Sequence, residues 1–455
     1  TPPEAGSLAW ESCAADEAEC AVLEVPVDHE DARRGFVPLD LTRLPATGTR
    51  RGTLLVNLGG PGIGMKGLGA AGTLDNMLPA EVRAVYDVLL WQPRGTGTEA
   101  ISCGVLDPDP PLAGDWSPDD ETERAELFGI LEGVGQACAA AGDPLVGWAS
   151  PEDHARDMEW IRLALGDETI SYLGYSYGGV YGTVYADRFP DRVDRWVLDS
   201  AMGPSLPLVD FPLAQATMAQ TLLDEALDAC ALDTECPFYS DGDPHTAFDQ
   251  LLDQLDATPL SGTGRDALEV DLVVALMGAT NGNADEATYR RRAYNALATA
   301  ASGDADYLIT LAGLDGAYSP PLVSMLCDHD AHPAIEDQPD AFETAAATGF
   351  MGTTNYAYQA AACAWWPTEA RWEAQALAAA GAGPIVVTGG IEDHAVPLHI
   401  TQALHAELDD SVLLVGERWG HWQYGANLPG ADPCIQDAVT AYLVDGTVPA
   451  EGACD

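Results

Sequence analysis

Basic residues are scarce in this chain of 455 residues: 20 Lys and Arg stand against 72 Asp and Glu, and Lys66 is its one lysine. A formal charge of −52 repels phosphate backbones and anionic lipid, so nucleic acid is excluded as a partner. Long apolar runs are missing too. The longest patches, such as Ile385-Val386-Val387, are strand-sized and fall far short of the roughly 18 residues of a spanning helix, so no membrane insertion is expected. Cys-x-x-Cys pairs are absent, and with them the usual spacing of zinc ligands. No internal repeat is visible. The acidity itself serves solubility or draws a cationic substrate, and composition does not choose between the two.

Ten cysteines are present, in an order that invites local pairing: Cys13 with Cys20, Cys103 with Cys138, Cys230 with Cys236, Cys327 with Cys363, and Cys434 with Cys454. An even count without metal-type spacing fits disulfides made in an oxidising compartment, so the expected location is secreted and extracellular. The sequence opens at Thr1 without an apolar leader, and any export signal is expected to have been removed already or to lie outside it.

Short apolar runs alternate with helical patterns over the first two hundred residues: Thr53 to Leu58, Asp87 to Gln92, Ile170 to Leu173, and Val193 to Leu198. That alternation predicts an α/β fold with a mainly parallel central sheet. From about Gly203 to Gly383 the pattern becomes Ala- and Leu-rich and helical, and sheet-type runs resume at Pro384 to Thr388 and Ser411 to Val415. The expected organisation is a core in two parts, residues 1–203 and 384–455, with an inserted mainly helical lid at 204–383. A lid over strand ends is where substrate selectivity usually resides.

Between the run ending at Leu173 and the helical stretch toward Phe189 lies Gly174-Tyr175-Ser176-Tyr177-Gly178. Strand, sharp turn and helix around Gly-x-Ser-x-Gly predict a nucleophile elbow with Ser176 exposed at its apex. A serine hydroxyl needs a base in reach and a group to orient that base. In an α/β-hydrolase sheet these follow later strands in the order Ser, acid, His. Gly389 to Pro397 offers Asp393 as the acid, with Glu392 and, further off, Asp199 as rivals. Gly416 to Trp422 offers His421 as the base, with His394 and His399 as competitors. Backbone donors for an oxyanion are expected from Tyr177 and from Gly60 in Gly59-Gly60-Pro61-Gly62.

Two patterns point elsewhere and carry less. Gly62-Ile63-Gly64-Met65-Lys66-Gly67 matches a dinucleotide fingerprint, but no acid for a ribose closes the next strand, and Pro61 interrupts the turn. Cys327-Asp328-His329-Asp330-Ala331-His332 has metal-ligand residue types, but a disulfide at Cys327 removes its best ligand. Neither a cofactor nor a metal is expected.

Taken together, the chain resembles the secreted tripeptidyl aminopeptidases of actinomycetes, in the serine-peptidase family that also contains prolyl aminopeptidase. The likeness rests on Gly59 to Gly62, Pro93-Arg94-Gly95-Thr96-Gly97, the elbow through Gly179, Cys363-Ala364-Trp365-Trp366-Pro367, Asp393 to Pro397, and the Cys434 to Cys454 tail. It covers nearly the whole chain. The resemblance implies release of short peptides from a free N-terminus, with lid acids holding the substrate ammonium. Asp328 and Asp330 are the candidates, against the plainer reading of ordinary surface acids. Gln92, Glu99 and Val396 depart from the family's usual Asp, Ser and Thr at those places. A carboxylesterase or amidase with the same triad, or a silent hydrolase-fold binding protein, are the alternatives, and a monomer is expected.

Overall fold

The computed structural model describes the chain except residues 1, 14–17, 62–76, 98–99, 105–114, 264–265, 280–284, 313–318, 429, 453 and 455. Nine strands form one sheet: β1 (Glu11–Ser12), β2 (Glu19–Pro26), β3 (Phe36–Leu44), β4 (Gly52–Asn57), β5 (Tyr86–Trp91), β6 (Ile170–Tyr175), β7 (Val193–Asp199), β10 (Ile385–Gly390) and β11 (Ser411–Gly416). Their spatial order is β1-β2-β3-β5-β4-β6-β7-β10-β11. The six strands from β5 to β11 run parallel, and β1 to β3 pair antiparallel at one edge.

The parallel strands are covered on both faces, as their continuous apolar runs require. Leu54, Val56, Leu173, Tyr175, Val197 and Val386 face one way, against helices Ala80–Val85 and Pro433–Asp445. Their alternating neighbours Leu55, Tyr172, Trp196, Leu198 and Val387 face the other, against helices Glu121–Ala141, Pro151–Leu165, Gly178–Arg188 and Leu398–Glu407. Local signals set the helix ends. Ser150 and Asp153 close a capping box with Pro151 in the first turn, and Gly166 ends that helix in the left-handed region.

The antiparallel edge is the part the sequence reading did not anticipate. β2 alternates half-exposed and buried, with Val22 57% exposed between buried Ala21 and Leu23, so it lacks the continuous run that marks a central strand.

Between β7 and β10 the chain makes helices Asp210–Ala231, Pro244–Ala257, Glu269–Gly278, Glu286–Ala301, Asp306–Ala312, Pro320–Cys327, Gln338–Ala346 and Gly352–Gln359. The two-residue strands β8 (Leu260–Ser261) and β9 (Asp266–Ala267) lie among them. Part of this block has its own apolar core, including Leu223, Leu227, Leu251, Leu272 and Leu297, with Trp419 added from the segment after β11. The rest, including Phe211, Leu326, Phe342 and Tyr356, packs into the main cluster. The insertion is thus fused to the sheet domain over part of its surface. Disulfides join Cys13 to Cys20, Cys103 to Cys138, Cys230 to Cys236, Cys327 to Cys363 and Cys434 to Cys454. No described helix is long and apolar enough to cross a membrane.

Arg94, noted in the sequence only as part of a motif, proves to be a buried tie. Its side chain is fully enclosed and grips Asp157 through two bonds of 2.7 and 2.6 Å. It also donates to the carbonyls of Pro26, Val27 and Trp148. Burial alone would raise the Asp157 pKa, but the guanidinium overrides it and holds the carboxyl at about 2. Replacing Arg94 by Met leaves the buried Asp157 carboxylate without its guanidinium and facing His29, 2.9 Å away, so Arg94→Met should destabilise the fold by about 3–5 kcal/mol, read as a lower urea midpoint.

Candidate active site

The sheet's strand order reverses between β4 and β6, since the chain steps from β4 to β5 on one side and returns to β6 on the other. In open α/β sheets ligands bind at the carboxyl ends beside such a point. Ser176 stands there, directly after β6, with φ of 55°, the left-handed conformation a side chain rarely adopts. The turn is tied on both sides. Ser176 N–H donates to the Asp199 carbonyl at 3.0 Å, and Gly179 N–H donates to the Ser176 carbonyl at 2.9 Å. A Cβ on Gly174 would sit 2.4 Å from the Tyr172 ring and 2.7 Å from the Gly178 carbonyl, so the strand can meet the helix this closely only without one.

The segment after β4 closes on the same turn. Gly59, at φ 87°, comes so near that a Cβ there would lie 2.7 Å from Ser176 Cβ and 3.0 Å from Tyr177 N. Asn57 Oδ1 accepts the Gly59 N–H at 2.9 Å and holds this approach. Gly60 follows at φ 109°. The structure therefore brings the Gly59 backbone against the Tyr177 N–H. The dinucleotide-like stretch at 62–67 lies outside the described residues.

Asp393 and His421 come together after β10 and β11. His421 Nδ1 is 2.9 Å from each Asp393 carboxylate oxygen. Asp393 is fully buried and also accepts the Ala395 and Val396 N–H groups at 2.9 Å, so its orientation is fixed before the imidazole binds. The Val396 contact is made by the backbone, so a Thr hydroxyl is not needed for it. His421 keeps 15% of its side chain exposed. Its neighbours reach the elbow: the Trp422 and Tyr175 rings lie 5.1 Å apart, and Tyr175 Oη donates to the Tyr424 carbonyl at 3.1 Å.

The rival residues have other surroundings. His394 stacks on Trp419 at 5.5 Å, and enclosure pushes its pKa down to about 4. His399 is exposed on helix Leu398–Glu407. Glu392 is half-buried, and its pKa is raised first by that burial and then by Glu225 and Glu286 of the insertion. Asp199 is fully buried and accepts from the Thr388 hydroxyl and from the Gln423 and Tyr424 N–H groups, both at 3.2 Å. Beside the elbow, Tyr177 Oη lies 2.8 Å from His329 Nδ1, and His329 Nε2 lies 3.2 Å from the Leu206 carbonyl. The carbonyl can only accept, so Nε2 carries the proton and Nδ1 receives the tyrosine hydroxyl. A small cavity next to this pair is lined by Met202, Phe211, Leu326 and Gln359.

Asp328 and Asp330, expected as candidates for holding a substrate amine, are turned inward. Asp330 accepts the Leu208 N–H with one oxygen, at 3.1 Å, and the Ala374 N–H with the other, at 3.0 Å. Asp328 is fully buried and accepts the Ala149 N–H at 2.9 Å. Burial, with Asp153 nearby, raises its pKa to about 7 against that bond and the pull of Arg371 and Arg94. Sequence placed both acids beside Cys327 but could not show that backbone donors occupy them. The neighbouring His332 is equally engaged, 2.7 Å from the Cys327 carbonyl, and Cys327 is in a disulfide, so this segment presents no metal site. Among the described residues, Asp115, Glu123 and Asp256 can bring carboxylate oxygens within 4.8 Å of one another, in an open acidic hollow bounded by Glu269. Acids gathered on so acidic a surface do not by themselves define a metal centre.

A mainly parallel sheet with a strained serine turn, a buried acid and a histidine on successive carboxyl-end segments defines an α/β hydrolase. Residues 349–454 match the family model described as TAP-like protein. The chain is 30% identical over 474 residues to serine protease Hip1 of Mycobacterium tuberculosis, covering 96% of this chain and 87% of that one. It is 30% identical over 490 residues to carboxylesterase B of the same organism, covering 98% and 90%. The tripeptidyl aminopeptidase of Streptomyces coelicolor is 34% identical over 209 residues, covering 43% and 38%. The chain belongs to the tripeptidyl-aminopeptidase-like family of α/β-hydrolase serine hydrolases.

Because Asp330 accepts two backbone N–H groups, its removal should act on stability. Asp330→Ala is expected to lower the unfolding free energy by about 1–3 kcal/mol. The ratio of rates on free and N-acetylated tripeptide anilides should stay within about twofold of wild type, whereas an amine-binding role would shrink it tenfold or more.

Proposed function

We propose that this protein is an exported serine exopeptidase that releases short peptides, tripeptides first among them, from free N-termini through an acyl-enzyme. The observation that carries the reading is the buried Asp393 carboxylate bound to His421 Nδ1, on the same sheet edge as the strained Ser176 turn. In this reading His421 Nε2 takes the Ser176 proton as Oγ attacks the scissile carbonyl. Asp393 fixes the tautomer and stabilises the imidazolium. The Tyr177 and Gly60 N–H groups receive the oxyanion, and their fixed backbone needs no reorganisation as charge develops. The imidazolium then gives its proton to the leaving amine, and water releases the peptide by the same steps. Export is supported by the five disulfides, which persist in oxidising compartments.

The relative named carboxylesterase B, matched over nearly the whole chain, favours a second reading in which the same triad cleaves esters. The substrate amine separates the two. A tripeptide anilide with a free amine should be cleaved at least tenfold faster than its N-acetylated form by an exopeptidase, and a p-nitrophenyl ester should be the better substrate of an esterase. For either reading Ser176→Ala should cost about 10³-fold or more in kcat with an unchanged circular dichroism spectrum. Retention of activity in that variant would remove Ser176 as nucleophile.

A further inference from the structure

Asp199 is a buried residue that touches all three chain segments of the candidate site, one through its backbone and two through its carboxylate. Its carbonyl accepts the Ser176 N–H, one residue past β6. Its side chain accepts the hydroxyl of Thr388, five residues before Asp393 on the strand that leads to it. It also accepts the N–H groups of Gln423 and Tyr424, two and three residues after His421. We propose that Asp199 is a positioning residue: its carboxylate holds the segment carrying His421 in register with the Ser176 turn and with the strand leading to Asp393. This rests on the reading of Ser176, His421 and Asp393 given above.

The chemistry of the site favours a charged acceptor over a neutral polar group. Three donors converge on two oxygens, and an amide at this place would turn an NH2 toward at least one of them. Taking a carboxylate out of water is costly unless fixed donors replace the solvent, and these donors come from backbone and a short threonine. Among the described residues, no arginine pairs with it. The ionisable groups around it are Tyr175 beneath the elbow, Tyr424 on the segment after β11, and His421 itself. Once His421 has taken the serine proton, the imidazolium has Asp393 in contact and Asp199 as a second negative charge behind its own segment. Burial lifts the Asp199 pKa to about 7, with Thr388, Tyr424, His421 and Gln423 pulling it down. The charge is therefore present above that pH and is lost as pH falls through it.

The test is a pair of variants, Asp199→Asn and Thr388→Val, assayed with a free tripeptide anilide and a p-nitrophenyl ester across pH 5–9. Asp199→Asn should lower kcat about 10–100-fold with KM within about twofold, and should slow organophosphonate labelling of Ser176 by the same factor. The acid limb of kcat/KM should fall with two protons in wild type and one in the variant. Thr388→Val removes one donor to the charged form, so its acid limb should move to higher pH with a loss of about 3–10-fold at pH 7. That variant decides the matter if Asp199→Asn does not fold. Wild-type kcat and an unmoved acid limb would overturn the proposal, as would losses that follow only the folded fraction. If the wild-type protein is not labelled at Ser176 at all, the hydrolase reading fails instead.

Discussion

The carboxyl edge of the sheet depends on how tightly helix Gly178–Arg188 is pressed onto β6 and β7. The Tyr172 hydroxyl donates to the Gly178 carbonyl at 2.8 Å, and Trp196 Nε1 donates to the Gly182 carbonyl at 3.1 Å. The Trp196 ring lies between Tyr172, at 4.7 Å, and Tyr185, at 5.3 Å. Stacked aromatics supply both buried area and a fixed offset geometry. With the helix pinned from below, the turn before it has no slack, and Ser176 is held at positive φ. Such a residue costs on the order of 1–3 kcal/mol and persists only where its surroundings over-determine it. Here the aromatic layer and the bonds to Asp199 and Gly179 do so, and the result is a hydroxyl raised clear of the sheet.

The scarcity of cations gives the few arginines structural work. Arg94 neutralises Asp157 in the core, and Arg371 bonds buried Asp153 at 2.9 Å while lying 3.5 Å over the Trp148 ring. Arg50 bridges Asp87 and Asp167, and Arg162 bonds Glu159 and the Asp167 carbonyl. Asp393 and Asp199 are treated differently. Backbone N–H groups and a hydroxyl meet them, and among the described residues no guanidinium pairs with either. A guanidinium at either place would compete with a protonated imidazole for the carboxylate.

What could be read from the sequence was local. The elbow, the strands before and after it, and the order of Ser176, Asp393 and His421 each sit in a short window whose glycines and apolar runs state the geometry directly. The contacts that were not legible join residues far apart. Arg94 meets Asp157 across 63 positions, Asp199 meets Tyr424 across 225, and Tyr177 meets His329 across 152. A buried Asp and an exposed Asp have the same letter, so Asp328 and Asp330 looked available until their backbone donors were seen. The β2–β3 edge was missed for a different reason: a strand with one wet face has no continuous apolar run to announce it.

The insertion also bears on the chemistry through Trp419. This ring comes from the segment after β11, two residues before His421, yet it belongs to the insertion's apolar core. It lies between Tyr289 of helix Glu286–Ala301, at 5.1 Å, and His394, at 5.5 Å. His394 is the neighbour of Asp393. One aromatic stack therefore connects the helical block to both segments that carry His421 and Asp393. A block free to swing as a rigid lid would break this stack each time it opened. The stack favours a block that stays docked at this corner.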